Sequence, residues 1–353
     1  MKKVLFILKR KENYGTKDHS HIGLSTGLYN SASFVHQMLL DSGIESHLQV
    51  VIDNNDIDRY VTKYRPTHVI VEALWVVPTK FAVLCKLHPN VKWIIRIHSE
   101  VPFLANEGIA FDWIGDYMCF KNIILGINSP RAFQEIRQFI KIAKGWDDNQ
   151  LAERIIYLPN FYPQEYYTKD YSYLEEKETI DIGCFGAVRP LKNHLLQAIA
   201  AVEFAESINK KLRFHINSGR VEMKGEPVVN NLKGFFSHIY EKGHYLVNHE
   251  WTPRESFLKL CSTMDIGLQV SFSETFNIVG ADLISQGVPI VGSIEIPWSV
   301  NIYNADPTSL TSIFNKLNLT YLHISSNVSS NQHSLTEYTD MTREIWEEYF
   351  LDR

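Results

Sequence analysis

The sequence predicts an α/β protein built from two doubly wound parallel sheets, and three observations carry that prediction. Short, continuously apolar runs alternate with amphipathic stretches over most of the chain, as strands buried on both faces alternate with helices. The alternation breaks once, at the aromatic, polar, proline-punctuated stretch PNFYPQEYYTKDYSYLEEKET that begins at Pro159, and then resumes. A length of 353 residues also exceeds what one hydrophobic core ordinarily serves.

Taken in order, KVLFILK reads as a strand, and Leu28 to Leu40 as a helix ended by Gly43. HLQVVI and THVIVEAL are strands, residues 78–88 a helix, and VKWIIRIHS and KNIILGINS two more strands. Ser129 is placed to cap a helix with Pro130 at its first position, and RIIYLPN closes the first half. After the crossover come the strand IDIGCFGAV, a helix over 192–208, the strand LRFHINS and a helix near 228–241. HYLVNHEW, a helix over 253–262, DIGLQVS, a helix over 276–286 and PIVGS complete the second half. The closing TDMTREIWEEYFLDR is expected to be a helix with Met341, Ile345, Trp346 and Phe350 on its apolar side. This predicts a first Rossmann-like domain over residues 1–162, with the helix 339–353 packing back on it, and a second over 163–338. Two such sheets facing each other predict a ligand cleft between the carboxyl ends of their strands.

Composition narrows the function. Apolar residues make up 45% and charged residues 21% of the chain, a globular balance. No apolar run approaches the roughly 18 residues of a membrane span, and the start is charged too soon for a signal peptide. No integral membrane segment is therefore expected. Cys85, Cys119, Cys184 and Cys261 form no CxxC pair and read as buried thiols of a cytoplasmic protein. The net charge of −5 gives no global basic field for nucleic acid. The histidines show no metal-ligand spacing, so no metal is expected.

Arg189 and Lys192 follow IDIGCFGAV and open the next helix. Helix-start amides favour an anion there, arginine grips phosphate with two bonds, and lysine adds a point charge. The competing reading is two solvated cations. Gly183 and Gly186 do not form GxGxxG, which speaks against a nicotinamide or flavin site. Further along, in SFSETFNIVGADLISQGVPIVGS, Phe276, Asn277 and Ile278 start a second helix. Its amides are candidates to hold phosphate, while Glu274 and Asp282 are candidates to accept bonds from sugar or ribose hydroxyls. His98, at the carboxyl end of a strand, is either a site residue or a core histidine. The long polar loop KRKENYGTKDHSHIGLSTG carries Lys9, Arg10, Lys11 and Lys17 and is either functional or merely solvated.

GAVRPLKNHLLQAIAA followed by SETFNIVGADLISQGVPIV resembles the donor domain of retaining GT-B glycosyltransferases of the large family-four type. In that family a G-x-x-x-x-x-K turn supplies the diphosphate-binding arginine and lysine, matched here by Arg189 and Lys192. A glutamate pair then contacts the donor sugar and the ribose. Glu274 matches the first; Asp282 replaces the second, one methylene shorter; and Asn277 stands where the family has glycine. LPNFY at 158–162 resembles the family's PNG hinge. The resemblance also implies that His98 lies near the donor sugar, that Gly23 is the loop glycine near the donor phosphate, and that the loop with His249 touches the nucleotide base. Trp251 serves either the base or packing.

The implied activity is metal-independent transfer, with retention, from a nucleotide-diphosphate sugar to a hydroxyl acceptor. No cofactor is implied beyond that co-substrate. The expected acceptor is a glycan, lipid-linked or other hydroxyl, with a hydroxymethylated DNA base as a minority reading. Two alternatives stay open: a nucleotide-sugar 2-epimerase of the same fold, and a non-catalytic nucleotide-sugar-binding protein. The oligomeric state is not legible.

Overall fold

The computed structural model describes residues 2–9 and 27–351. The chain divides into two units, Met1–Pro163 with Thr339–Arg353, and Gln164–Tyr338. Each unit carries a six-stranded sheet among the described residues, and every strand pair is parallel.

The first unit runs β1 (Lys3–Lys9), α1 (Gly27–Asp41), β2 (Glu45–Val51), α2 (Ile57–Tyr64), β3 (His68–Glu72), α3 (Pro78–Leu87) and β4 (Lys92–Ile97). It continues with α4 (Val101–Leu104), α5 (Ala110–Tyr117), β5 (Ile123–Ile127), α6 (Pro130–Lys144), α7 (Asp148–Arg154) and β6 (Ile155–Tyr157). The strand order is β2-β1-β3-β4-β5-β6. Alternation along β1 sends Leu5 and Ile7 into one core and Val4, Phe6 and Leu8 into the other. That is why its sequence is apolar without a gap. Ser129 caps α6 by accepting from the Ala132 amide at 3.2 Å, and Gly145 closes the helix at φ +66°.

The second unit comprises β7 (Thr179–Val188), α8 (His194–Ser207), β8 (Lys211–Val221), α9 (Glu226–His238), β9 (Tyr245–Asn248) and α10 (Arg254–Ser262). Then follow β10 (Ile266–Gln269), α11 (Ile278–Ser285), β11 (Ile290–Ser293), β12 (Asn304–Ala305), α12 (Leu310–Leu322) and α13 (Ile324–Leu351). The strand order is β12-β11-β10-β7-β8-β9. The segment from Gln164 onward is tied down by its aromatic and basic residues. The Tyr167 amide donates to Ser285 O at 2.7 Å, Lys169 Nζ to Met264 O at 2.6 Å and the Tyr171 hydroxyl to Gly287 O at 2.9 Å.

The last helix starts at Ile324, well before the stretch read as helical. Residues 324–338 are rich in serine and asparagine and carry little helical signal. Their helix is held by inward asparagines instead. Asn327 accepts from the Ile290 amide at 3.0 Å and donates to its carbonyl at 2.8 Å, and Asn331 accepts from the Val300 amide at 3.0 Å. From Thr339 the helix belongs to the first unit, where Trp346 and Phe350 are buried in the sheet core. Met341 was expected on that buried face but is exposed; Thr342 points inward in its place. Cys119 was expected to be buried and is exposed, whereas Cys184 and Cys261 are buried. No helix among the described residues is long and apolar enough to cross a membrane.

Candidate functional site

The site is built from two turns of the second unit. β7 ends at Val188, Arg189 is extended (φ −156°, ψ 157°), and Pro190–Lys192 form one 3-10 turn before α8. Asn193 makes the corner at φ +59°, a left-handed conformation that asparagine tolerates. Its side-chain Nδ2 donates to Val270 O at 3.1 Å and Pro307 O at 2.8 Å. Gln197 accepts from the Val270 amide and donates to Lys192 O, both at 2.8 Å. These bonds pin the Lys192 backbone to the end of β10.

Lys192 Nζ forms an ion pair with the Glu274 carboxylate across 82 residues of sequence, and both side chains are largely buried. Gly186 has φ +114°, and a Cβ there would lie 4.0 Å from Lys192 Nζ and 3.9 Å from Val279 Cγ2. The first strand-to-helix turn and the start of α11 therefore meet.

Asn277 sits at φ +62°. Glycine or asparagine suits that conformation, which accounts for asparagine where the resembling family has glycine. The side chain also caps α11 through the Gly280 amide at 2.8 Å and donates to Gln269 Oε1 at 3.0 Å. Phe276 is packed against Trp298 and Tyr338, and its carbonyl accepts from Trp298 Nε1 at 2.6 Å, so its ring anchors the turn. Ile278 is the first residue of α11 and is half-buried.

Asp282 is buried and not solvated. Its Oδ1 accepts from Arg254 Nη1, the first residue of α10, at 2.6 Å. Arg189 Nη1 lies 3.7 Å from Glu222 Oε2, and Glu222 also accepts from Arg220 Nε at 2.8 Å. The Arg220 guanidinium lies over the Trp251 ring at 4.7 Å. His249 Nε2 is 2.9 Å from His215 Nδ1, the rings stack, and His215 Nε2 is 2.8 Å from Asp181 Oδ1. Burial, then the neighbouring His215, lowers the pKa of His249. Burial opposes the charge on Asp181, yet bonds from His215, Arg213 and Lys177 hold its pKa well below the usual carboxylate value.

His98 belongs to the first unit. Its Nε2 meets the buried Glu72 carboxylate, and Asn128 Nδ2 lies 3.3 Å from its Nδ1. Burial opposes the charge on Glu72, but Arg96 and His98 outweigh it and lower the pKa; burial leads in lowering that of His98. Arg96 in turn donates to Pro159 O at 2.9 Å and Asn160 Oδ1 at 2.7 Å, fixing the LPNFY segment. Gly23, Arg10, Lys11 and Lys17 lie outside the described residues.

The residues that complete these clusters are Glu72, Arg220, Glu222 and Arg254. Of these, Glu72 alone carried a sequence signal, a carboxylate ending an otherwise apolar strand.

No family model matches the chain, and no curated protein matches it. Solved structures do. An α,α-trehalose-phosphate synthase (UDP-forming) from Burkholderia vietnamiensis superposes with a TM-score of 0.69 at 10% identity, covering 100% of this chain and 96% of that one. The sucrose-phosphate synthase from Thermosynechococcus elongatus gives 0.66 at 12% identity, covering 100% of both chains. The E. coli trehalose-6-phosphate structure bound with UDP-2-fluoro glucose gives 0.68 at 10% identity, covering 99% and 98%. The fold is GT-B. The GT-B chain thus has two doubly wound, Rossmann-like domains, and at these identities the likeness speaks for the fold alone.

Proposed function

We propose that this chain is a retaining glycosyltransferase that takes a nucleotide-diphosphate sugar, a UDP-sugar foremost, and passes the sugar to a hydroxyl acceptor. The observation that carries this reading is the Lys192–Glu274 pair. It joins the turn after β7 to the start of α11, the two places where the sequence suggested phosphate and sugar contacts. Neighbours named as UDP-forming, or bound to UDP-2-fluoro glucose, favour uridine in the donor.

In this reading Arg189, Lys192 and the amides opening α8 and α11 stabilise the charge that develops on the leaving diphosphate. Glu274 holds the sugar ring and Asp282 meets the ribose. His98 positions the sugar, its ring oriented by Glu72. The leaving phosphate accepts the acceptor's proton, so no protein nucleophile is required. Because the positive charge comes from side chains, a chelator is expected to leave the rate intact.

The test is turnover with UDP-sugars and other nucleotide sugars against a panel of hydroxyl acceptors that includes sugar phosphates. The expected result is release of the nucleoside diphosphate together with a product of unchanged anomeric configuration. Lys192→Ala and Arg189→Ala should each lose roughly two or more orders of magnitude in rate. Full activity in both variants would overturn the diphosphate assignment.

A further inference from the structure

His194 opens the 14-residue helix α8, directly after the turn that carries Arg189 and Lys192. It is 1% exposed, and neither ring nitrogen has a hydrogen-bond partner among the described residues. Buried polar groups are almost always partnered, and an orphaned imidazole carries the full cost of its lost water. No packing reason for a histidine is visible, since a leucine would fill the same place without that cost. Among the described residues Lys192 and Arg189 disfavour a charge on the ring; Lys192 pairs with Glu274, and Arg189 lies 3.7 Å from Glu222.

Those carboxylates matter. Arg189, Arg220 and Lys192 bring three positive charges to this cluster, and Glu222 and Glu274 bring two negative ones. One net positive charge remains among the five side chains. A nucleoside diphosphate carries about two to three negative charges near neutral pH, its last ionisation falling at about pH 6. Such a ligand brings more negative charge than these five described side chains offset, and the neutral imidazole two residues after Lys192 is a group that can supply more positive charge.

We propose that His194 completes the anion site: when a diphosphate settles at the turn, the imidazole takes a proton from solvent and donates an N–H to a phosphate oxygen. This rests on the reading of the turn as a diphosphate site. Without ligand the ring stays neutral, because burial first, then Lys192 and Arg189, push its pKa down to about 3. The arriving phosphate reverses the sign of the local field and supplies the missing acceptor.

Calorimetric titration of the full chain at pH 7, in two buffers of different ionisation enthalpy, counts the protons taken up. With UDP, and with inorganic pyrophosphate, the wild type is expected to gain a sizeable fraction of a proton per ligand bound. His194→Gln should bind roughly 10- to 100-fold more weakly and lose that uptake. Binding by the wild type with no uptake, or equal uptake by the variant, overturns the role of His194 and leaves the diphosphate site standing. Failure of both UDP and pyrophosphate to bind sinks the site reading itself, and this inference with it. Should the variant not fold, histidine-labelled wild type read by NMR decides the matter. One imidazole should pass from neutral to doubly protonated on adding pyrophosphate, and unchanged ring signals overturn the proposal.

Discussion

At the scale of single residues, the candidate site is governed by where carboxylates meet cations. Glu274 is held by Lys192, and Asp282 by Arg254, so two carboxylates of similar sequence setting have different partners. If Glu274 serves the sugar and not the nucleotide, Glu274→Gln should keep UDP affinity within a few-fold while sugar transfer falls by orders of magnitude. Calorimetry with UDP alongside a turnover assay checks this, and equal loss of both would contradict the assignment. Asn277 supports a second test. Asn277→Gly keeps the left-handed backbone but loses the cap and the bond to Gln269, so it should destabilise, though less than the alanine variant does. Asn277→Ala loses the cap and strains the backbone, and should cost about 2 kcal/mol or more in urea denaturation.

At the scale of elements, β1 to β11 were legible because burial on both faces leaves an apolar run, as in β1, β3 and β5, whereas α2, α4, α5, α7, β12 and α12 were not read from the sequence. α13 was only half legible. The apolar stripe through Trp346 and Phe350 signals a helix, whereas the asparagines at 327 and 331 read as loop-formers until their partners are known. Asn327→Ala should leave the Ile290 amide and carbonyl without that partner, at a cost of about 1–3 kcal/mol for each group left unmet. A shifted denaturation midpoint with unchanged slope would show this as a loss of stability, and no shift would mean that β11 finds other partners.

At the scale of the whole molecule, burial biases several histidines toward the neutral form. It is the leading cause of lowered pKa for His36, His98, His194, His244 and His249. An unfolded histidine binds a proton near pH 6.5 and these folded ones resist it, so the unfolded state holds more protons below that pH. Their contribution to stability is complete above about pH 6.5 and is lost as the pH falls. His194, fully buried, accounts for up to about 1.4 kcal/mol per pH unit on the way down. The carboxylates Glu72 and Asp181, held below their usual values, add their own loss only under about pH 4. Stability in denaturant should thus fall between pH 7 and pH 5, with a shallower slope in His194→Gln, and a flat profile would contradict the neutral burial of these rings.

The sequence by itself determined the α/β class, the two doubly wound sheets and the two turns worth watching, because those features rest on local periodicity and on which residue types open helices. Tertiary structure alone decided that Lys192 pairs with Glu274, that Asp282 pairs with Arg254, that Glu222 sits against Arg189, and that neither ring nitrogen of His194 finds a partner among the described residues. These are contacts between segments far apart in sequence, and their partners are chosen by strand order and turn geometry, which no local pattern encodes.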